Sequence, residues 1–337
     1  MKIDPHDYKG LRKQIALQKK QAWDLETAVD WSVGVDLQKP FLPLDHEAIA
    51  FPGASSEQTL ALSQWIGLVV NATISEMEDA LPNLKYHGWE KIIRAYPVNP
   101  EIKELGELFF EEEAKHAKAF SRYLDAFCQE VGVEPHELKK FLPRAFGSFF
   151  QAAITKNAEA GGHAFWWVVA AVEEVSINIF KEMLKFRGEL DPLFYQLHRR
   201  HLEEEARHAN YAYLMLQVIQ DRPANIRRRL FQKTDFLFSQ LVAKPWVIKE
   251  LSKFFEVGQL SSAHPFFKTL ESCVPLCQNL SIPELSRRMF YSAPYVSWIL
   301  NPNWARGVGS VRKDQGALPV PFKDVSSVTL DIPKKSI

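Results

Sequence analysis

Cysteine is scarce in this chain. There are three in 337 residues, Cys128, Cys273 and Cys277, and an odd count with no secretion signal argues against a disulfide framework. Cys273 and Cys277 have helical i, i+4 spacing, but Pro275 lies between them and no second pair exists to complete a zinc site. They are expected to be reduced core thiols. Long apolar runs are also missing. The longest, Ala164 to Val172, falls well short of the roughly 18–20 residues of a membrane span. The N-terminus, Met1-Lys-Ile-Asp-Pro, lacks the charged-then-apolar layout of a signal peptide, so a cytoplasmic location is expected. Charge of one sign is absent: 41 basic and 41 acidic residues leave a formal net charge of zero. Neither nucleic acid nor an anionic membrane is called for as a partner. Period-2 strand patterning is almost absent, and no flavin or nicotinamide fingerprint occurs.

What is present is helical patterning. The length suggests one large domain, or a domain with an appended lobe. Residues 1–55 read as an N-terminal flanking segment of short helices, then an extended stretch around Lys39 to Pro43. Strong helical periodicity begins at about Ser56, with Leu60, Leu62, Trp65, Ile66, Val69, Val70, Thr73 and Ile74 on one broad face. It runs through Glu76 and Glu78 and is expected to stop at Pro82 or soon after. A second helix starts after Pro100, with Glu101 and Glu104 in its first turns, where the helix dipole favours them, and ends near Val131 at Gly132. A connector helix over Glu134 to Leu142 is closed by Pro143. The next helical region spans Phe146 to Phe186, weakened at Gly161-Gly162, and another runs from Pro192 to about Asp221. The expected architecture is all-α: a four-helix bundle over 56–221, a helical C-terminal extension over 222–300 and an extended tail over 301–337.

The strongest signal is an internal repeat. Residues 111–117 read Glu-Glu-Glu-Ala-Lys-His-Ala and residues 203–209 read Glu-Glu-Glu-Ala-Arg-His-Ala. They fall on the second and fourth long helices. Each contains Glu-x-x-His, Glu113/His116 and Glu205/His208, and a separation of three places both side chains on one helical face. Two such pairs on facing helices, with one Glu from each remaining helix, complete the ligand set of a ferritin-like di-iron or di-manganese carboxylate bundle. Carboxylates are hard anionic donors that bridge divalent ions, and imidazole suits iron. Burying four Glu without cations would cost many kcal/mol. The third long helix offers Glu173 or Glu174. Glu173 shares a face with Val169, Ala170, Ser176, Ile177 and Phe180 and is the better buried choice. On the first helix, periodicity does not decide between Glu76 and Glu78. Glu111, Glu112, Lys115, Glu203, Glu204 and Arg207 are expected on solvated faces, whereas Phe109, Phe110, Phe120 and Tyr211 line the side of the Glu/His pairs.

His201 lies four residues before Glu205. The run His201-x3-Glu205-x2-His208 makes one helical stripe, and His201 as a ligand would give three histidines and four carboxylates. The competing reading is a histidine that hydrogen-bonds a neighbouring helix. His198, one turn earlier, is expected to support the site from outside at most, and His163 to be structural. Trp166, Trp167, Phe109, Phe110 and Phe120 could wall a pocket for an aromatic or aliphatic substrate, against the plainer reading of core packing.

The repeated Glu-Glu-x-x-His blocks and Glu78-Asp-Ala-Leu-Pro82 resemble the soluble acyl-carrier-protein desaturases, whose first-helix ligand sits just before a similar Ala-Leu-Pro. That resemblance favours Glu78 over Glu76. The His-x3-Glu-x2-His stripe resembles the arylamine N-oxygenases of the p-aminobenzoate type, in which the added His is a seventh ligand. Intervals of 35 residues from Glu78 to Glu113 and 60 from Glu113 to Glu173 are similar to that family, as are Asp30-Trp31-Ser32 and Lys39-Pro-Phe-Leu-Pro43. A family of bacterial predicted metal-dependent hydrolases shares the fourth-helix stripe. Radical-generating ribonucleotide reductase subunits are similar in ligands but usually carry a tyrosine where this chain has Phe120. The resemblance covers roughly 25–220 and does not reach the substrate pocket.

The resemblance implies an oxygen-activating di-iron enzyme, with Mn or a mixed Mn/Fe pair as the alternative, and dioxygen as co-substrate. Its ligands would be Glu78, Glu113, His116, Glu173, His201, Glu205 and His208. N-oxygenation or hydroxylation of a small organic substrate is expected, with electrons from an external donor or reductase, and a homodimer is left open. The competing classes are a desaturase, with Arg227-Arg-Arg229 as its carrier-protein patch, a dimetal hydrolase, and a non-catalytic iron-binding protein.

Overall fold

The computed structural model describes residues 8–95, 98–144, 148–159, 164–220, 244–260, 262–278 and 280–289. Among the described residues every regular element is helical, and no helix is long and apolar enough to cross a membrane. The first helix, α1, spans Tyr8–Gln21. A loop with one tight turn at Trp31–Val33 follows, then α2 at Ser56–Lys85. A short α3, Lys91–Ala95, leads to α4 at Pro100–Val131 and a single turn, α5, at Pro135–Leu138. The expected helix over 146–186 is described as α6, Ser148–Glu159, and α7, Ala164–Met183. Gly161-Gly162 and His163 lie outside the described residues, as do Arg227 to Arg229 and everything from 290 onward. Helix α8 spans Pro192–Gln220. Shorter helices at Lys244–Ser252, Pro265–Ser272, Val274–Gln278 and Ile282–Met289 complete the described chain.

Local chemistry explains where the long helices begin and end. Ser55 opens α2 with a reciprocal cap: its hydroxyl accepts from Gln58 N and the Gln58 side chain accepts from Ser55 N. Asn99 caps α4 ahead of Pro100, and Gly132 closes it in the left-handed conformation at φ 63°. Asp191 caps α8, accepting from Phe194 N at 2.6 Å. Pro82 lies inside α2, which ends soon after it, at Lys85, as expected. The helix carries it as an interior residue and passes at Tyr86–Glu90 into a wider π-turn before α3. Proline removes one backbone donor, the bond to the carbonyl one turn back, and packing on both sides holds the helix through that loss: Leu81 and Leu84 are buried.

Helices α2, α4, α7 and α8 form the bundle. Ser75 meets Ala117 and Lys85 meets Glu107, so α2 and α4 run antiparallel. Lys115 meets Glu204 and Tyr211 meets Ile102, so α4 and α8 do too. Apolar side chains gather at the two ends of the bundle. One cluster contains Leu62, Trp65, Phe120, Phe127, Phe180 and Phe194, and is extended by the N-terminal segment (Phe41, Ile49) and the C-terminal helices (Phe254, Leu270). The other contains Leu81, Trp89, Phe109, Phe110, Trp166 and Met215. The three cysteines are buried and free, and burial pushes the Cys128 and Cys277 thiols up to about 12, as expected of inert core thiols.

Candidate metal centre

Between the two apolar clusters lies a buried polar layer, with donors from all four bundle helices. Glu78 comes from α2, Glu113 and His116 from α4, Glu173 from α7, and His201, Glu205 and His208 from α8. None is more than 2% exposed. The spacing of three in each Glu-x-x-His block, and of four from His201 to Glu205, turns these side chains toward one point on the bundle axis. Their donor atoms fall into three groups, each spanning at most 4.8 Å: Glu78, His116, His201 and Glu205; Glu113, His116 and His208; and Glu173, Glu205 and His208. Glu205 belongs to two of these groups, and Glu113 is grouped with the histidines of both repeats. The structure thus brings together all seven side chains singled out in the sequence. Glu76 is only half-buried and belongs to none of the groups. The Glu174 and Trp167 side chains lie outside the described residues.

The layer has the signature of a cation site. Glu78 Oε2, both oxygens of Glu113, Glu173 Oε1, Glu205 Oε1, and Nδ1 of His116 and His208 are buried without a hydrogen-bond partner. Buried polar atoms are otherwise almost always satisfied. Some of these atoms are close neighbours all the same. His208 Nδ1 lies 2.8 Å from Glu113 Oε1 and 3.2 Å from Glu205 Oε1. The ring nitrogen is not aligned to donate to either, so proximity here means convergence on a common point. His201 approaches through its other nitrogen: Nε2 is 2.9 Å from Glu78 Oε1 and 3.1 Å from Glu205 Oε1. Electrostatics agrees. Burial, reinforced by the charges of Glu113 and Glu205, holds Glu78 well above the usual carboxylate range. Burial pushes Glu113 up to about 7 and likewise raises Glu173. Burial lowers His116, and takes His201 down to about 3. Glu205 and His208 go the other way: the His201 charge and the close contacts with Glu173 and His208 lower Glu205 against its burial, and Glu113, Glu112 and Glu205 raise His208, so the empty site opposes charge on five of its seven donors and holds it on one pair. Four carboxylates and two divalent ions sum to zero, so a pair of hard divalent cations suits this donor set.

Four residues expected on solvated faces are not there. Glu112 and Glu204 are 6% and 0% exposed, Arg207 is 8% exposed, and Lys115 is half-buried. Glu204 accepts from His116 Nε2 at 2.6 Å and from Lys115 Nζ at 2.7 Å. Glu112 accepts from His208 Nε2 at 2.8 Å and from Gln18 Nε2 at 2.7 Å. The cause is α1, which lies across α4 and α8 and covers this face. The available signal was the identity of the two heptapeptides beyond their ligand positions. Glu111 is exposed as expected, and Glu203 is partly exposed in ion pairs with Arg199 and Arg200.

His198 does not reach the donor groups. It pairs with Asn71 on α2 at 2.7 Å and packs on Phe194. The aromatic side chains close the layer from both ends. Phe109 stands edge-on to His208 at 5.0 Å and packs against Phe110 and Trp166. Phe120 stands edge-on to His201 at 4.8 Å from the opposite cluster. Tyr211 donates to the Ile102 carbonyl and accepts from Trp89 Nε1.

Fold and site together define a four-helix bundle with a buried layer of carboxylates and imidazoles that could hold metal ions. Residues 110–260 match the family described as P-aminobenzoate N-oxygenase AurF. The matched stretch is a little under half of the chain and includes both heptapeptides. Over that stretch the chain resembles this family of N-oxygenases. No curated protein matches the sequence. Among solved structures, the chain is similar to an R2-like ligand-binding oxidase with aerobically reconstituted Mn/Fe cofactor, at 16% identity over 91% of this chain and 94% of that one, with a TM-score of 0.49. A point-mutant form of an R2-like ligand-binding oxidase with the same kind of cofactor is similar at 16% identity over 91% and 95%, with a TM-score of 0.44.

Proposed function

We propose that this protein holds two iron ions, with a manganese or mixed pair as the metal alternative, and uses dioxygen to oxidise a small organic substrate by N-oxygenation or hydroxylation. The ligands in this reading are Glu78, Glu113, His116, Glu173, His201, Glu205 and His208. The carrying observation is the convergence of unpartnered buried oxygens and imidazole nitrogens from four helices. Glu78, His116, His201 and Glu205 form one donor group, Glu113, His116 and His208 a second, and Glu173, Glu205 and His208 a third, and together they would hold the metal pair. A bound iron pair supplies the redox chemistry with dioxygen. The chain's own work is to balance that charge with four carboxylates, fix the ligand geometry and exclude water. The rings of Phe109 and Phe120 against His208 and His201 serve the last purpose. Electrons come from a separate donor. The N-oxygenase family match supports an oxygenase over a hydrolase.

Elemental analysis of iron-supplied protein is the first test. About two irons per chain are expected in the wild type, and close to none in a Glu113→Ala/Glu205→Ala double variant. A wild type that stays metal-free after anaerobic ferrous loading would overturn the reading. A spectral change when dioxygen meets the ferrous protein then separates an oxygenase from a dimetal hydrolase, which would give none.

A further inference from the structure

The chain is neutral as a whole, and α1 breaks that balance locally. It carries five cations, Lys9, Arg12, Lys13, Lys19 and Lys20, and no carboxylate. Every other described helix of eight or more residues carries at least one carboxylate. Two of the five cations serve the bundle: Arg12 pairs with Glu101 and Lys19 with Glu104, both on α4. Lys9, Lys13 and Lys20 are exposed and have no carboxylate partner among the described residues. At about 100° per residue they fall within about 40° of arc and extend over about 17 Å of helix. They stand on the side opposite buried Leu11, Ile15 and Gln18, with exposed Leu17 beside them. Beneath α1 lies the donor layer. Gln18 donates to Glu112 Oε2, the oxygen that also pairs with His208 Nε2. One helix, about 10–12 Å across with its side chains, and one carboxylate separate the lysine stripe from that imidazole.

We propose that the outer face of α1 is the docking site of the electron donor, an acidic one-electron carrier protein whose carboxylates meet Lys9, Lys13 and Lys20. The proposal rests on the oxygenase reading above and names the partner that reading requires. In each encounter the carrier loses one electron and the metal pair gains it. Two encounters return a ferric pair to the ferrous state, and no bond forms or breaks. Tunnelling falls off exponentially with distance, so a donor works best where little protein separates the two redox centres, and the single layer of α1 is such a place. Redox encounters use small, polar contacts and draw their speed from complementary charge. A neutral molecule offers no overall attraction to an acidic carrier, so a local stripe has to supply it. Other anionic occupants fit less well. The apolar face of α1 is buried within the bundle, which leaves no wedge to place among lipid chains. Three lysines neutralise too few phosphates to hold nucleic acid at physiological salt.

The test compares the full iron-loaded chain with the triple variant Lys9→Glu/Lys13→Glu/Lys20→Glu. A control, Lys185→Glu/Lys249→Glu/Lys268→Glu, changes net charge equally at exposed lysines of other elements. The probes are two acidic carriers, a plant-type ferredoxin and a flavodoxin. Stopped-flow mixing gives the second-order rate constant for reduction of the ferric protein at low and at physiological ionic strength. Calorimetry gives the affinity for oxidised ferredoxin, on iron-loaded and on metal-free chain. Photoreduced deazaflavin, a small donor that needs no docking, reports whether the metal site is intact. The triple variant should lower the low-salt rate constant about 10–100-fold and flatten its salt dependence. Deazaflavin reduction and melting should stay as in the wild type, and the control should lose far less. A triple variant that loses no more than the control overturns the proposal. So does a wild type that deazaflavin reduces but neither carrier does. A triple variant that loses binding to phosphatidylserine vesicles yet keeps ferredoxin reduction unchanged makes the stripe a membrane face and overturns it too. A wild type that holds no iron sinks the two-metal reading alone, because the ferredoxin affinity of the metal-free chain still tests the stripe.

Discussion

At the scale of single residues, His201 is the side chain that most sharply separates readings of the site. It enters the donor layer through Nε2, whereas the repeat histidines face it through Nδ1. If it ligates, His201→Ala should weaken the position beside Glu78 by at least about tenfold, since loss of a direct ligand costs no less than loss of its support. Stepwise metal titration checks this, and unchanged affinities would return His201 to a helix-bridging role. The five converging residues of α4 and α8 were legible as a sequence because spacings of three and four translate directly into one helical face, whereas Glu173 was favoured by its apolar face and Glu78 only by the resemblance. Glu112 and Glu204 were not. In sequence they are members of Glu-rich runs beside Lys115 and Arg207, the ordinary composition of a wet surface, and nothing local reveals that another helix covers them.

At the scale of elements, Asp191 joins three parts of the fold. It caps α8, accepts from Tyr123 of α4 at 3.2 Å, and accepts from Asp36 N of the N-terminal loop at 2.7 Å. Asp191→Ala removes the cap and leaves the Tyr123 hydroxyl buried without an acceptor. A loss of about 2–4 kcal/mol in denaturant unfolding is expected. Gly106 marks a close approach of α4 to its neighbours: a Cβ there would overlap the Tyr211 hydroxyl and the Trp89 ring. Gly106→Ala should therefore cost about 1–3 kcal/mol by overpacking, and a neutral result would show that this end of the bundle yields easily. Helix limits at Ser56, Pro100, Gly132 and Pro192 were legible from caps and breakers. Whether α2 would stop at Pro82 or soon after it was not, because the packing that tolerates one lost hydrogen bond comes from distant segments.

At the scale of the whole molecule, metal binding, protonation and stability are linked. Glu78, Glu113 and Glu173 are raised above their ordinary value of 4.5 by burial. Their contribution to metal-free stability is therefore full below about pH 4.5 and is lost as pH rises through the folded-state values, about 7 for Glu113. Divalent ions bind the ionised form and release those protons. The gain in melting temperature on metal loading should thus grow from pH 5 to pH 8, and a gain independent of pH would contradict the protonated state of the empty site. At free metal 100 times the Kd, loading stabilises by about 2.7 kcal/mol, which a chelator should reverse in a thermal melt.

The sequence by itself determined the helical class, the long bundle helices and the acidic-histidine repeat, because periodicity, caps and i, i+3 spacing are local properties of one chain segment. Tertiary structure decided which Glu on α2 faces inward and that Phe109 and Phe120 close opposite ends of the layer. It also decided that α1 converts half of each repeat from apparent surface into a buried hold on the histidines. These depend on contacts between segments roughly 90 residues and more apart, and such contacts leave no periodic trace in the sequence of either partner.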